Sequence, residues 1–161
     1  MFSFSKKTEY ALVALSYLAQ RSNRMSPARE IAKAHQLPLS LLMNILKSLH
    51  QHGVIRSTRG TKGGYQICVD PDKVTLAQLI EIVDSPVHLT ECSAFEHVPE
   101  NRRCRVKPCP IRAPIRDLHD KFVRFLGDVS LSHLLGNGQR RPITPGREVG
   151  LKATPITEAS R

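Results

Sequence analysis

Two short segments of helical periodicity, separated by only a few residues, set the tightest limit on what this chain can fold into. Ile31 and Ala32 mark the inward side of the first, which ends near His35. Leu42, Ile45, Leu46 and Leu49 recur at helical spacing along the second, which begins around Ser40. Gln36-Leu37-Pro38 is short enough to demand a tight turn, so the pair reads as a helix-turn-helix. Ser26-Pro27 offers an N-cap and a proline at the first helical position, Ser40 can cap the second helix, and Gly53 suits its C-terminal end. Residues 54–58 and 65–69 then read as strands around Arg59-Gly60-Thr61-Lys62-Gly63-Gly64. A hairpin with a glycine-rich, charged tip behind a helix-turn-helix is a wing. The expected fold class is mainly α: a winged helix-turn-helix with a two-stranded wing, plus a long C-terminal dimerisation helix.

The flanking segments supply the support. Ala11, Ala14, Leu15 and Leu18 repeat along a first helix over residues 6–20, and Thr75 caps a short helix over 76–83. Ile111, Ile115, Leu118, Phe122 and Phe125 alternate at spacings of four and three, a heptad-like seam that predicts pairing with a second copy. Pro110 suits the start of that helix, Pro114 allows a slightly later one, and it reaches about Leu126 before a short helix over 131–135. The division expected is a DNA-binding domain over 1–84, a cysteine-containing loop over 85–109 and dimerisation elements over 110–135. Residues 136–161, rich in Gly, Pro, Thr, Ser and Arg, read as a disordered basic tail.

Charge says what such a fold would meet. Lys and Arg number 24 against 14 Asp and Glu, a formal charge of +10, which points to a polyanion. Its distribution says more. From Leu39 to Gly64 there is no acidic residue, while Lys47, Arg56, Arg59 and Lys62 all fall there. The second helix of the pair and the wing are where phosphate contacts would be made and where a carboxylate would oppose them. Ser40, Asn44 and Lys47 lie off the apolar stripe as donors to bases or phosphates in a major groove. Arg59 and Lys62 suit a narrow minor groove, and Gly63 and Gly64 permit close backbone approach. Ser26, Pro27 and Arg56 complete the expected DNA-contacting set. The competing reading is a set of solvated charges on a generic helical domain.

Other classes find little support. No apolar run approaches the roughly 20 residues needed to span a bilayer, and the N-terminus lacks a signal-peptide core, so a cytoplasmic chain without a membrane partner is expected. His35, His50, His52, His88, His97, His119 and His133 form no nucleophile or metal-hydrolase motif, and no phosphate loop is present; an enzyme is not expected.

The cysteines are the other chemistry-bearing group. Cys92, Cys104 and Cys109 stand as C-x11-C-x4-C ahead of the long helix, a set suited to an iron–sulfur cluster or to zinc, either of which wants a fourth ligand. Neither a ferredoxin run nor paired CxxC motifs are present, so unconnected thiols stay open as a reading. Arg102, Arg103, Arg105 and Lys107 surround the last two cysteines and suit an anionic cluster or further phosphate contacts. Cys68, in the second wing strand, reads as a buried structural thiol.

Three motifs together resemble one family. Ser5-Lys6-Lys7-Thr8-Glu9-Tyr10-Ala11-Leu12, Arg59-Gly60-Thr61-Lys62-Gly63-Gly64-Tyr65, and Cys109-Pro110-Ile111-Arg112 leading into Arg116-Asp117-Leu118 are similar, in this order, to the Rrf-type winged-helix regulators, IscR- and NsrR-like. The resemblance covers roughly residues 3 to 135. It implies a homodimer reading a pseudo-palindromic operator in double-stranded DNA, often as a repressor, and it matches Cys92, Cys104 and Cys109 to the family's cluster-binding cysteines. The first gap between them is longer than the family usually shows and the second slightly shorter. Arg112 stands where IscR-type members carry their histidine ligand, which excludes that ligand set. NsrR-like members take a carboxylate from the first helix of the partner, and the matching position is Glu9; His97 is the alternative fourth ligand. The implied cofactor is a 4Fe–4S cluster, with 2Fe–2S as the alternative. Zinc or a thiol–disulfide switch on the same fold, and an iron–sulfur carrier or protein-interaction module, are the competing functions.

Overall fold

The computed structural model describes residues 3–60, 63–90 and 109–135. Ser5, in extended conformation, accepts a hydrogen bond from the Thr8 backbone N at 3.3 Å and so starts α1 (Lys6–Ala19). Ala11, Ala14, Leu15 and Leu18 all face inward, as their spacing predicts. The helix pair follows as α2 (Ala28–His35) and α3 (Leu39–Gln51). Its turn is made by Gln36, which adopts φ 52°, while the Leu37 N–H reaches back to the Ala32 carbonyl at 2.9 Å.

Two expected caps are corrected here. Proline, not serine, precedes both helices: Pro27 and Pro38 are the N-cap residues, and neither end has a side-chain cap. Ser40 sits inside the first turn of α3. Ser26 is fully buried, its hydroxyl has no hydrogen-bond partner, and its backbone is committed elsewhere. Prolines supply the required φ without a side-chain acceptor, and their missing N–H would be unsatisfied at a helix start in any case.

The wing is the antiparallel pair β1 (Ile55–Thr58) and β2 (Gly64–Ile67), in register from Ile55 opposite Ile67 to Thr58 opposite Gly64. Gly53 follows α3 at φ 71°, a backbone turn that favours glycine. A single bridge, Ser26 to Tyr65, adds the entry of α2 to the wing's second strand. Cys68 lies just past β2 and is exposed, its Sγ donating to the Gly53 carbonyl at 3.1 Å; the buried thiol expected there is not found, because the strand ends at Ile67.

Thr75 caps α4 (Leu76–Val83) in a reciprocal box with Gln78: the Gln78 N–H donates to Thr75 Oγ1 at 3.3 Å and the Thr75 N–H to Gln78 Oε1 at 2.9 Å. The long helix α5 (Arg112–Asp128) and the short α6 (Leu131–Leu135) close the described chain. Their junction pairs back onto the start of α4, with Leu76 N donating to Val129 O at 2.7 Å and Leu131 N to Val74 O at 2.8 Å. Leu126, Val129, Leu131 and Leu135 thereby join the same buried cluster as Leu15, Leu42 and Leu79. Upstream of Leu126, α5 contributes no buried residue. Most of the expected cysteine loop, including Cys92, His97 and Cys104, and the whole expected tail 136–161 lie outside the described residues. Among the described residues no helix is long and apolar enough to cross a membrane.

Candidate nucleic-acid interface

Packing on one side of α3 decides what its other side offers. Leu42, Ile45, Leu46 and Leu49 are buried against the other helices, so Ser40, Asn44 and Lys47 are left exposed on the opposite face. Leu39 and Met43 share that exposed surface, 39% and 42% exposed, and were not singled out by sequence reasoning. Met43 lies off the apolar stripe, while Leu39 is in line with Leu42 and Leu46 but stands at the first position of the helix, where it is left uncovered.

Two polar clusters fix the surroundings of this helix, one joining α1 to α2 and one joining α3 to the wing. Tyr17 of α1 donates its hydroxyl to Glu30 of α2, which also pairs with Arg24; the Arg21 guanidinium lies 3.9 Å above the centre of the Tyr17 ring. The hydrogen bond to Glu30, then burial, then the charge of Glu30 raise the Tyr17 phenol above its ordinary range, while Arg21 and Arg24 act in the opposite sense. On the wing side, His50 Nδ1 lies 3.2 Å from the Ile55 carbonyl and must be the donor, since a carbonyl only accepts. Its Nε2 meets the Ser57 hydroxyl at 3.3 Å, so the last turn of α3 is tied to β1.

In the wing, Arg56 donates to Gln66 Oε1 from Nε at 3.2 Å and from Nη2 at 2.8 Å across their strand pairing, and Gln66 in turn donates to the Ser22 carbonyl. Arg56 is therefore an exposed charge held in one orientation. Arg59 is exposed beside Gly60, whose φ of 116° turns the chain at the tip. Lys62 lies outside the described residues. The Gly63 N–H bonds to the Gly60 carbonyl at 2.9 Å, and Gly64 approaches Ser26 so closely that a Cβ there would stand 2.5 Å from the Ser26 carbonyl carbon. Both glycines thus approach protein backbone. Pro27 is exposed at the start of α2, whereas Ser26 stands behind the surface.

Of the expected ligands, Cys109 is a free, half-buried thiol just ahead of α5, its carbonyl accepting from the Arg112 N–H at 3.4 Å. Glu9 lies in the first turn of α1, half-buried, and accepts from Lys6 Nζ at 2.6 Å. That hydrogen bond and the charge of Glu9 raise the pKa of Lys6.

Comparison with known proteins agrees with this geometry. Residues 4–137 match the Rrf2 family, described as an iron-dependent transcriptional regulator. The HTH-type transcriptional regulator IscR of Photorhabdus laumondii is 31% identical over 134 residues, covering 83% of this chain and 79% of that protein. IscR of Xenorhabdus nematophila is 28% identical over 152 residues, covering 94% and 90%. Among solved structures, CymR, the global cysteine regulator of B. subtilis, shares the fold with a TM-score of 0.63 at 24% identity, over 84% of this chain and 97% of that one. T. potens IscR does so with a TM-score of 0.62 at 18% identity, over 83% and 86%. A family of transcriptional regulators sets the enzymatic reading aside. Helix pair, wing and a match spanning nearly every described residue lead to one conclusion: the chain belongs to the Rrf2 family of DNA-binding transcriptional regulators.

Proposed function

We propose that this regulator acts in the cytoplasm as a homodimer on a pseudo-palindromic operator, as a repressor. In this reading its hold on DNA is set by an iron–sulfur cluster ligated by Cys92, Cys104 and Cys109 of one protomer and by Glu9 of the partner subunit. The observation that carries the reading is the placement of Cys109. Its free thiol stands at the N-terminal end of α5, the helix whose Ile111, Leu118 and Phe125 are 60%, 53% and 42% exposed in the single chain. Those three side chains fall at heptad spacing and want a second copy of the same helix as cover. Pro27, Ser40, Asn44, Lys47, Arg56, Arg59 and Lys62 form the proposed DNA-reading set, with the buried Ser26 and the backbone-packed Gly63 and Gly64 supporting it from behind.

The donor chemistry fits. Three thiolates and a carboxylate suit iron, preferably as 4Fe–4S and alternatively as 2Fe–2S, and Arg112 cannot ligate because its guanidinium has no free acceptor. Arg112 instead adds a positive charge to the N-terminal end of the α5 dipole, which favours an anionic group held at Cys109. When bound, such a cluster supplies a centre sensitive to redox state, nitric oxide or iron supply. Glu9 would be the one hard oxygen ligand beside three thiolates and so the most weakly held, and Lys6 is the partner its carboxylate has when it is not a ligand. Because α1 packs directly on α3, a shift of α1 repositions the DNA-reading face. Two such faces must stand about one helical turn of DNA apart, so a small rotation of each abolishes binding.

Anaerobic purification followed by visible spectroscopy with iron and sulfide analysis tests this. A coloured dimer that bleaches on chelation or exposure to nitric oxide is expected. Colourless, iron-free protein favours the second reading, a zinc or thiol–disulfide switch, which the exposed Cys68 and free Cys109 support. Steeply salt-dependent, sequence-selective binding separates either form from an iron–sulfur carrier or protein-interaction module.

A further inference from the structure

Leu39 and Met43 are large apolar side chains left exposed on α3, one turn apart: Met43 beside the polar position Lys47, and Leu39 at the first position of the helix, next to Ser40 in the chain. Scattered apolar residues on a surface need no explanation, but these two are adjacent and stand on a helix without a single carboxylate. Of the other large apolar side chains of α3, Leu42, Ile45, Leu46 and Leu49 are buried in the core and Leu41 is half-buried against it. Leu39 and Met43 therefore belong to the surface offered to DNA. The major-groove edge of the four base pairs is made of donors and acceptors, with one apolar group among them, the C5-methyl of thymine. An apolar side chain facing that edge has this partner and no other.

We infer that Leu39 and Met43 are specificity-determining residues that select thymine by enclosing its methyl group, with Asn44 beside them reading a neighbouring base through hydrogen bonds. This deepens the DNA-reading assignment and rests on it. Leu39, at the first position of α3, reaches bases at the N-terminal end of the helix, and Met43 those one turn further along. The unbranched, polarisable side chain of Met43 can follow the methyl surface closely.

Uracil differs from thymine by this methyl alone, so it is the probe. Full-length protein purified anaerobically is used to select duplexes from a random library. Each thymine of the selected half-site is then replaced by uracil in both half-sites, and binding is measured at one fixed salt concentration. One or two thymine positions are expected at which uracil weakens binding roughly four-fold per methyl, or about fifteen-fold for the symmetric pair. Met43→Ala and Leu39→Ala should each abolish the uracil penalty at one of these positions, so that the thymine and uracil duplexes bind alike, while keeping it at the other. The proposal is overturned if selective binding is found with no uracil-sensitive position, or if the penalty survives in both variants. Failure to bind any duplex selectively would overturn the DNA-reading assignment together with it, so the two failures are distinct.

Discussion

The backbones of Ser26 and Tyr65 exchange two hydrogen bonds, each 2.9 Å long, joining the entry of α2 to the second strand of the wing. Through this bridge the wing cannot swing independently of the helix pair, and the two elements proposed to face DNA are presented as one surface. Gly64 lies beside the bridge because a side chain there would collide with the Ser26 carbonyl.

Gly64→Ala should therefore destabilise the fold by about 1–3 kcal/mol, the usual cost of forcing an extra carbon into a packed site. Urea unfolding measures this directly. Gly53→Ala provides a contrast, since a Cβ there meets no atom within 4 Å and only the positive φ opposes it. A Gly64→Ala protein as stable as the parent would show that the wing can pull away from Ser26.

Tyr17→Phe removes the donor that joins α1 to Glu30 of α2 and should cost about 1 kcal/mol, because Arg24 still pairs with the carboxylate. The phenol is raised in the folded state, so the stability it contributes is present below the ordinary tyrosine value near pH 10. That contribution is lost as pH rises through the higher folded value. Alkaline unfolding curves of parent and variant should converge above about pH 10. Parallel curves would place no titration at Tyr17.

Lys47 and Asn44 should separate affinity from specificity. Lys47→Ala is expected to weaken all duplexes alike and to flatten the log–log salt dependence by about 0.9 per protomer. Asn44→Ala should leave the salt slope intact and reduce discrimination at one base position by about 1–3 kcal/mol. Titrations at several salt concentrations, on selected and unrelated duplexes, distinguish the two patterns.

Leu118 is half exposed on α5 in the single chain, so Leu118→Glu should leave the protomer folded while preventing self-association. Sedimentation velocity should report a monomer with unchanged circular dichroism. A dimer of undiminished strength would move the interface off this helix face.

Glu9→Ala tests the proposed bridging carboxylate. If Glu9 is a ligand, a bound cluster should be shorter-lived in the variant under air or nitric oxide and operator release should occur sooner, followed by absorbance and gel shift on the same sample. Unchanged cluster lifetime and release would leave Glu9 with its partner Lys6 and no part in sensing.

What the sequence determined by itself is what depends on neighbours a few residues apart. The periodicity of Leu42, Ile45, Leu46 and Leu49 placed α3, Thr75 signalled a cap, and the glycines after Arg59 marked the hairpin. The absence of acid between Leu39 and Gly64 marked the region proposed to face DNA. What only the tertiary structure decided involves partners far apart in the chain. Ser26 reads locally as a cap, yet its backbone is claimed by Tyr65, and Cys68 reads as buried, yet β2 stops one residue short of it. Val129 and Leu131 carry no local sign that they pair with residues flanking Thr75 and complete the core under α1. Local spacing reports which side of an element is apolar. Which distant backbone satisfies an N–H, and which apolar side chains remain uncovered, as Leu39 and Met43 do, is settled only when all the elements compete for the same core.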